Sequence, residues 1–517
     1  MKNKILFKNF TIFTGIKTLK PFEGDIMVKG DKIIKVGIVK SFSSSTKVIE
    51  GNKRYIFPGF IDMHSHGDLM NFAPEGLSSK IKQGITTEVT GQCGVGSAPI
   101  REKLKIGWKN HMIIRNPLSH IPWNSVEEYF DHLQKRGLDN NLVYFLPHGL
   151  LRYNIKQGSK KPMNNVELKE FKDLIVKSFK EGAAGVSLGL CYFPSVYSDH
   201  RELKALFKLA DEYDRLISVH LKSEATNILE SLDEIISLAE GTACRVNISH
   251  LKIIGESNED KLDEVLQKIK ENNFSFDSYP YRFGSTTFEI IIPPEFVEDT
   301  GLDSLKDEET RHNLKKIYRT GEYKNKSWDN LPNLLGWENI YITGLDNEKM
   351  QDIIGFSIQE IGEKLGVEPA EAAFDLLIEE NGNILMQDYY MKEKVIEKIL
   401  SEPNGSIGTD SLFSKINQHP RTTSTYPKVL KEYVFEKKIL TLSEAVYKFS
   451  KRPAEILKLN NRGEIGPGKK ADLVVFSKDE LINGTGNGIQ LVMINGNFKQ
   501  QEGTYYYSKK TGKILKK

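Results

Sequence analysis

Eight short apolar or β-branched segments recur along the middle of this 517-residue chain, most of them followed by residues in helical period. They end near His64, Cys93, His148, Leu190, His220, His250, Tyr281 and Asp410. Strands that alternate with helices read as parallel βα units, because a parallel pair needs a crossover long enough to hold a helix. From Glu167 to Lys180, Leu168, Phe171, Leu174, Ile175 and Ser178 share one helical face, and Gly182 follows where a helix stop belongs. Two further helix starts carry capping boxes. Ser357 with Glu360 opens a helix over Ile358 to Leu365, stopped at Gly366, and Thr441 with Glu444 precedes Pro453 at a first helical position.

Repeats of this kind, about 400 residues in all, predict an α/β chain folded as a TIM-type (β/α)8 barrel, whose chemistry sits at the carboxyl ends of the strands. The barrel is expected over 57–461. Residues 1–56 and 462–517 alternate like strands and are predicted to form one small β-sandwich domain from both chain ends. The connection from Tyr281 to Ser406 far exceeds a βα loop of about 2–6 residues plus one helix. An inserted lobe between strands 7 and 8 is therefore expected, at about 288–338.

Hydrophobic residues make up 39% of the chain, ample for one large core and a smaller one. Charged residues make up 27% with a net charge of +3, so nothing in the balance calls for nucleic acid or an anionic membrane as a partner. Lys8 interrupts the apolar stretch of MKNKILFKNFTIF before a signal-peptide core forms, and no later run approaches the roughly 20 apolar residues of a membrane span. The cysteines, Cys93, Cys191 and Cys244, number 3 at no framework spacing, which points to a reducing compartment, the cytoplasm. The partner expected is a small-molecule substrate; the sequence carries no sign of an oligomeric state.

The residues that carry chemistry stand at strand ends. In GFIDMHSHGDL, His64 and His66 lie two apart, so on a strand both imidazoles face one side and can share an ion. In GITTEVTGQCGVGS, a β-branched strand runs into Cys93 among Gly91, Gly94 and Gly96, which let the backbone come close to a ligand. A free cysteine is ordinarily a small buried hydrophobe, the reading given to Cys191 and Cys244. His220 in ISVHLKSE and His250 in VNISHLKIIG each end an apolar strand, thirty residues apart, the length of one βα unit. Imidazole and thiolate are ligands that zinc favours, so Cys93, His220 and His250 make a three-ligand site with a position left for water. Asp410, in SIGTDSL, is expected opposite the His64 and His66 pair around the closed barrel, in reach of the metal and its water.

Taken in order, PGFIDMHSHGDL, GITTEVTGQCGVGSAP, GVSLGL, SVHLKSE, NISHLK, DSYPYRFGST, GTDS, HPRTTSTYPKVL and RGEIGPGKKADLVVF resemble the amidohydrolase superfamily over nearly the whole chain, and within it the N-acyl-D-amino-acid deacylases. The resemblance implies metal ligands at His64, His66, Cys93, His220 and His250, with Asp410 as both ligand and catalytic carboxylate. It implies zinc, in one tight site with a second, weaker one. Many relatives bridge two metals with a carboxylated lysine on strand four; GVSLGL offers none, which leaves that place to Cys93. Tyr279, Ser285 and Arg421 are implied as holders of the substrate carboxylate. Ser424 replaces a common glycine after the HPR motif and Lys222 follows His220, departures that bear on substrate preference. Lys252 is either a second substrate-facing charge or a lysine snorkelling from the rim.

The activity implied is zinc-dependent hydrolysis of N-acyl-D-amino acids, with Asp410 taking a proton from water and returning it to the departing amine. His64 and His66 hold a weaker second ion or help to polarise the carbonyl. Two rivals remain: a cyclic amidase of the dihydropyrimidinase or dihydroorotase kind, disfavoured by Cys93 and the missing lysine, and a silent metal-binding scaffold.

Overall fold

The computed structural model describes residues 4–73, 77–111, 118, 120–296, 301–324, 327–345, 347–412 and 419–517. Eight parallel strands form its centre: β1 (Phe60–Asp62), β2 (Ile85–Thr90), β3 (Asn141–Pro147), β4 (Gly185–Gly189), β5 (Leu216–His220), β6 (Arg245–Ile248), β7 (Ser275–Ser278) and β8 (Gly405–Ile407). Their order in the sheet is their order in the chain. The strands are buried along nearly their whole length, as expected where helices cover the outside and side chains fill the inside.

The ladder runs unbroken from β1 to β8, and the loops above those two strands close the ring. Met63 N donates to Ile407 O at 3.3 Å, Asp410 N to His64 O at 2.8 Å and His66 N to Ser411 O at 3.2 Å. A buried polar clasp reinforces the seam. Asp62 accepts from Thr409 N and Thr409 Oγ1, both at 2.7 Å, and pairs with Lys80 Nζ. Removing one partner of such a buried pair typically costs about 3–5 kcal/mol, because the other charge is left uncompensated.

The helix signals in the sequence are realised. Asn165–Glu181 ends at Gly182 in the left-handed conformation, and Ile358–Leu365 has the Ser357/Glu360 capping box with Gly366 as its stop. Thr441 and Glu444 cap Leu442–Val446, and Pro453 lies in the first turn of Arg452–Ile456.

Both chain ends join one nine-stranded sheet. Its seam is the antiparallel pairing of Tyr55–Pro58 with Leu473–Phe476, and its own core includes Phe7, Phe10, Ile26, Ile56, Leu473 and Leu491. Between β7 and β8 a three-stranded antiparallel sheet, Phe283–Thr287, Leu385–Tyr389 and Ile340–Gly344 in that order, forms a lobe with several short helices. Within the stretch where the sequence placed the insertion, residues 297–300 and 325–326 lie outside the described residues. The lobe stands on the carboxyl-end side of the barrel, where its Asp329, Asp388 and Trp328 line the same cavity as His220, His250 and Asp410.

Candidate active site

The strand-terminal residues converge. His64 Nε2 lies 3.2 Å from Cys93 Sγ, which lies 3.3 Å from His250 Nε2. His64 Nε2 and His66 Nε2 stand 3.6 Å and 3.3 Å from Asp410 Oδ1. Among the described residues, three groups have ligand atoms within 4.8 Å of one another: His64 with Cys93 and His250, His64 with His66 and Asp410, and His220 with Glu224 and His250. His220 packs edge-on against His250, ring centroids 4.4 Å apart, and its Nε2 faces Glu224 at 3.3 Å. Cys93 thus meets His250 directly, whereas the nearest carboxylate to His220 is Glu224.

Two expectations change. His64 and His66 lie just beyond the end of β1 rather than on it, although Ser65 still bridges in parallel to Ser411 and both Nε2 atoms do face one carboxylate oxygen. Asp410 stands beside this pair, not across the barrel from it, because β8 is the strand that closes onto β1.

The backbone under the site is held in an uncommon conformation. Cys93, His250 and Asp410 have φ of 53°, 35° and 48°, a left-handed region that costs a residue with a side chain about 1–3 kcal/mol and persists only where the surroundings enforce it. For Cys93 the enforcement comes from strand four. Gly94 N donates to Ser187 Oγ at 3.0 Å while that hydroxyl donates to Gly91 O. For His250 and Asp410 it comes from main-chain bonds: Asp277 Oδ1 accepts from His250 N at 2.9 Å, and Asp410 N donates to His64 O.

Burial sets the protonation states. It pushes the Cys93 thiol well above its ordinary value, and drives His220 and His250 well below theirs, so both rings are neutral donors near neutral pH. Burial alone would raise the Asp410 carboxyl, but Arg421, then His250, His66 and His64, outweigh it and hold it well below the usual range. Asp410 is therefore an anion.

Arg421 is 1% exposed and opens the helix Arg421–Lys428. Its Nη1 lies 2.8 Å from Asp410 Oδ2, its Nη2 donates to the Ser285 carbonyl at 2.9 Å, and its Cζ sits 5.1 Å from the centre of the Tyr279 ring. Tyr279, Ser285 and Arg421 are thus neighbours on one wall of the cavity, with Ser285 meeting the guanidinium through its main chain. Among the described residues, Arg421 Nε is buried without a hydrogen-bond partner.

Sequence reasoning missed Glu224 and Asp277. Glu224 binds the Lys252 ammonium at 2.7 Å, and Lys252 Nζ lies 2.8 Å from His250 Nδ1, so Lys252 is built into the site rather than snorkelling from its rim. Asp277 Oδ1 stands 3.4 Å from His64 Nδ1. Both were within reach of the signal used for the histidines, a polar residue closing an apolar strand: Asp277 lies on β7, and Glu224 follows His220 by four residues.

A model of the Amidohydrolase family matches residues 354–484, a stretch that contains Asp410 and Arg421. The N-acyl-D-glutamate deacylase of Alcaligenes xylosoxydans xylosoxydans is 25% identical over 91% of this chain and 88% of its own. The chain is thus similar to the amidohydrolases, and over most of its length to their N-acyl-D-amino-acid deacylases. A D-aminoacylase of the same organism is 25% identical to this chain over 87% of the chain and 84% of the relative. The fold of this chain matches a crystal structure of N-acyl-D-glutamate deacylase from Bordetella bronchiseptica, complexed with zinc and a phosphonate mimic of the tetrahedral intermediate. The TM-score is 0.80 at 24% identity, with 100% of both chains covered.

Proposed function

We propose that this chain is a zinc-dependent N-acyl-D-amino-acid deacylase, releasing a carboxylate and a free D-amino acid. The observation that carries the reading is the convergence at one barrel mouth of His64, His66, Cys93, His220, His250 and Asp410 with Arg421 beside them. The donor set fits zinc: imidazole nitrogens and a sulfur whose atoms lie, group by group, within 4.8 Å of one another, with His66 Nδ1 and His220 Nδ1 buried without hydrogen-bond partners among the described residues. Cys93, His220 and His250 would hold the tight ion, and His64, His66 and Asp410 a second, weaker one. Zinc bound there would supply a Lewis acid that acidifies water and draws charge from the scissile carbonyl.

The chain's own residues supply the rest. Asp410, an anion 2.8 Å from Arg421, accepts the proton of the attacking water and gives it to the departing amine nitrogen. Arg421, whose Nε has no hydrogen-bond partner among the described residues, receives the α-carboxylate of the substrate with Tyr279 and Ser285 beside it. Lys252 keeps Glu224 and the His250 ring in place. The lobe contributes Trp328, Asp329 and Asp388 to the lining of the cavity in which the substrate would sit. Three free cysteines support a reducing, cytoplasmic setting.

The test is a panel of N-acyl-D- and N-acyl-L-amino acids, with hydantoin and dihydropyrimidine rings alongside, assayed with and without added zinc. Turnover of the D series that needs the metal is expected. Turnover confined to the rings would make this a cyclic amidase, and inactivity on every substrate with the metal bound would leave a scaffold.

A further inference from the structure

The cavity's charges do not cancel, and the surplus lies on the lobe. Among the described residues, Lys222, Lys252 and Arg421 are the basic side chains lining it. Each is already paired: Lys222 with Glu234 at 2.6 Å, Lys252 with Glu224 at 2.7 Å, and Arg421 with Asp410 at 2.8 Å. Asp329 is also committed, accepting from the Ser223 hydroxyl at 2.5 Å and from Glu224 N at 2.8 Å.

Asp388 is different. It lies on Leu385–Tyr389, is 5% exposed, and lines the cavity beside Gly284, where an added Cβ would come within 2.8 Å of its Oδ1. Among the described residues no cation and no side-chain donor stands within bonding distance of this carboxylate; Lys252 and Arg421 act on it only from farther away. Burial pushes its carboxyl up to about 6, as an anion without a counter-charge requires. The lobe also contributes Ile290, Trp328 and Leu331 to the lining of the same cavity, apolar surface suited to a methylene stem.

We propose that this cavity selects N-acyl-D-amino acids whose side chain is an aliphatic stem ending in a cation, as in D-lysine or D-arginine, with Asp388 as the counter-charge. The inference rests on the deacylase reading and adds its substrate class. Acidic side chains meet an unpaired carboxylate and no free cation, so specificity here departs from the D-glutamate activity named for the relative above. The carbon stem lies along the Ile290, Trp328 and Leu331 wall, and the charged tip replaces water at Asp388.

The experiment compares kcat/KM for Nα-acetyl-D-lysine, N-acetyl-D-leucine and N-acetyl-D-glutamate with the zinc-loaded protein and with Asp388→Asn. D-Lysine is expected to exceed D-leucine by about tenfold or more and D-glutamate by a wider margin, the sign that like charges oppose and unlike charges attract. In Asp388→Asn the lysine-to-leucine ratio should fall toward one. Calorimetry of free D-lysine and free D-glutamate with the unaltered protein tests the same order without turnover, should the variant fail to fold. Equal or reversed ranking of lysine and glutamate overturns this inference and leaves the deacylase standing; no turnover of any D substrate overturns both.

Discussion

The barrel mouth and the lobe face each other across one cavity, yet they are built differently. On the barrel side His64, Cys93, His220, His250 and Asp410 each follow or end a buried strand, and neighbouring groups meet at 3.1–3.6 Å. On the lobe side a three-stranded sheet and short helices contribute Asp329, Asp388 and an apolar wall, and the closest groups bond main chain as much as one another. Reacting groups must be fixed to within a fraction of an ångström, which rigid strands achieve, whereas selection of a side chain needs only the right charge and shape. The division predicts that barrel substitutions abolish chemistry and lobe substitutions alter preference.

The strongest challenge to that division is Cys93→Ala, which should lose both zinc and activity, since a methyl group cannot ligate a metal; elemental analysis with an assay decides it. Full metal content and turnover would return Cys93 to the role of a small buried residue. Arg421→Lys comes next. If the guanidinium grips the α-carboxylate, kcat/KM for N-acyl-D-amino acids should fall by about 2–5 kcal/mol, the range for a broken buried charge pair. Because Arg421 also faces Asp410, the loss on a neutral amide analogue measures that contact, and the excess on the charged substrate measures the grip. Equal losses would mean that Arg421 acts through structure alone.

Asp410→Asn should keep its zinc at Cys93, His220 and His250 while kcat drops about 10²-fold or more, the usual contribution of a general acid and base. Near-normal turnover would move the proton elsewhere. The smallest effect belongs to the lobe. Asp329→Asn weakens the bonds to Ser223 and Glu224 N, so KM should rise about tenfold, close to the loss of one charge-assisted hydrogen bond, with metal content and kcat retained. A kcat loss as large as that of Asp410→Asn would erase the distinction between the two walls.

What could be read from residues follows the same division. The barrel strands announce themselves because buried parallel strands are apolar runs bounded by turns, and His64, Cys93, His220, His250 and Asp410 stand out as polar residues at their ends. The neighbour of Asp410 could not be read that way, since linear order does not say that β8 closes onto β1 until the ring is formed. Nor could the work of Lys252: its ammonium is held by Glu224, 28 residues earlier in the chain, and the pairing exists only once β5 and β6 are side by side. Asp329 and Asp388 carry no periodic signal at all. They sit in an insertion whose short helices and edge strands give weak patterns, and their meaning comes from which cations in the cavity are already taken.

The seam between the chain ends has a consequence for synthesis. Tyr55–Pro58 leaves the ribosome early, but its partner Leu473–Phe476 follows only after about 400 further residues. At about 5–20 residues per second that interval is roughly 20–80 s. Throughout it, one edge of a strand carrying Ile56 and Phe57 has no partner, which is the kind of surface on which nascent chains aggregate. The amino-terminal strands already pair among themselves, Lys4–Ile12 with Phe22–Lys29 and with Lys47–Glu50, so the amino-terminal part of the sheet can form in advance with Tyr55–Pro58 as its waiting edge. A rearranged gene that encodes Leu473–Phe476 ahead of Tyr55–Pro58 would shorten the wait to the time taken by a single hairpin.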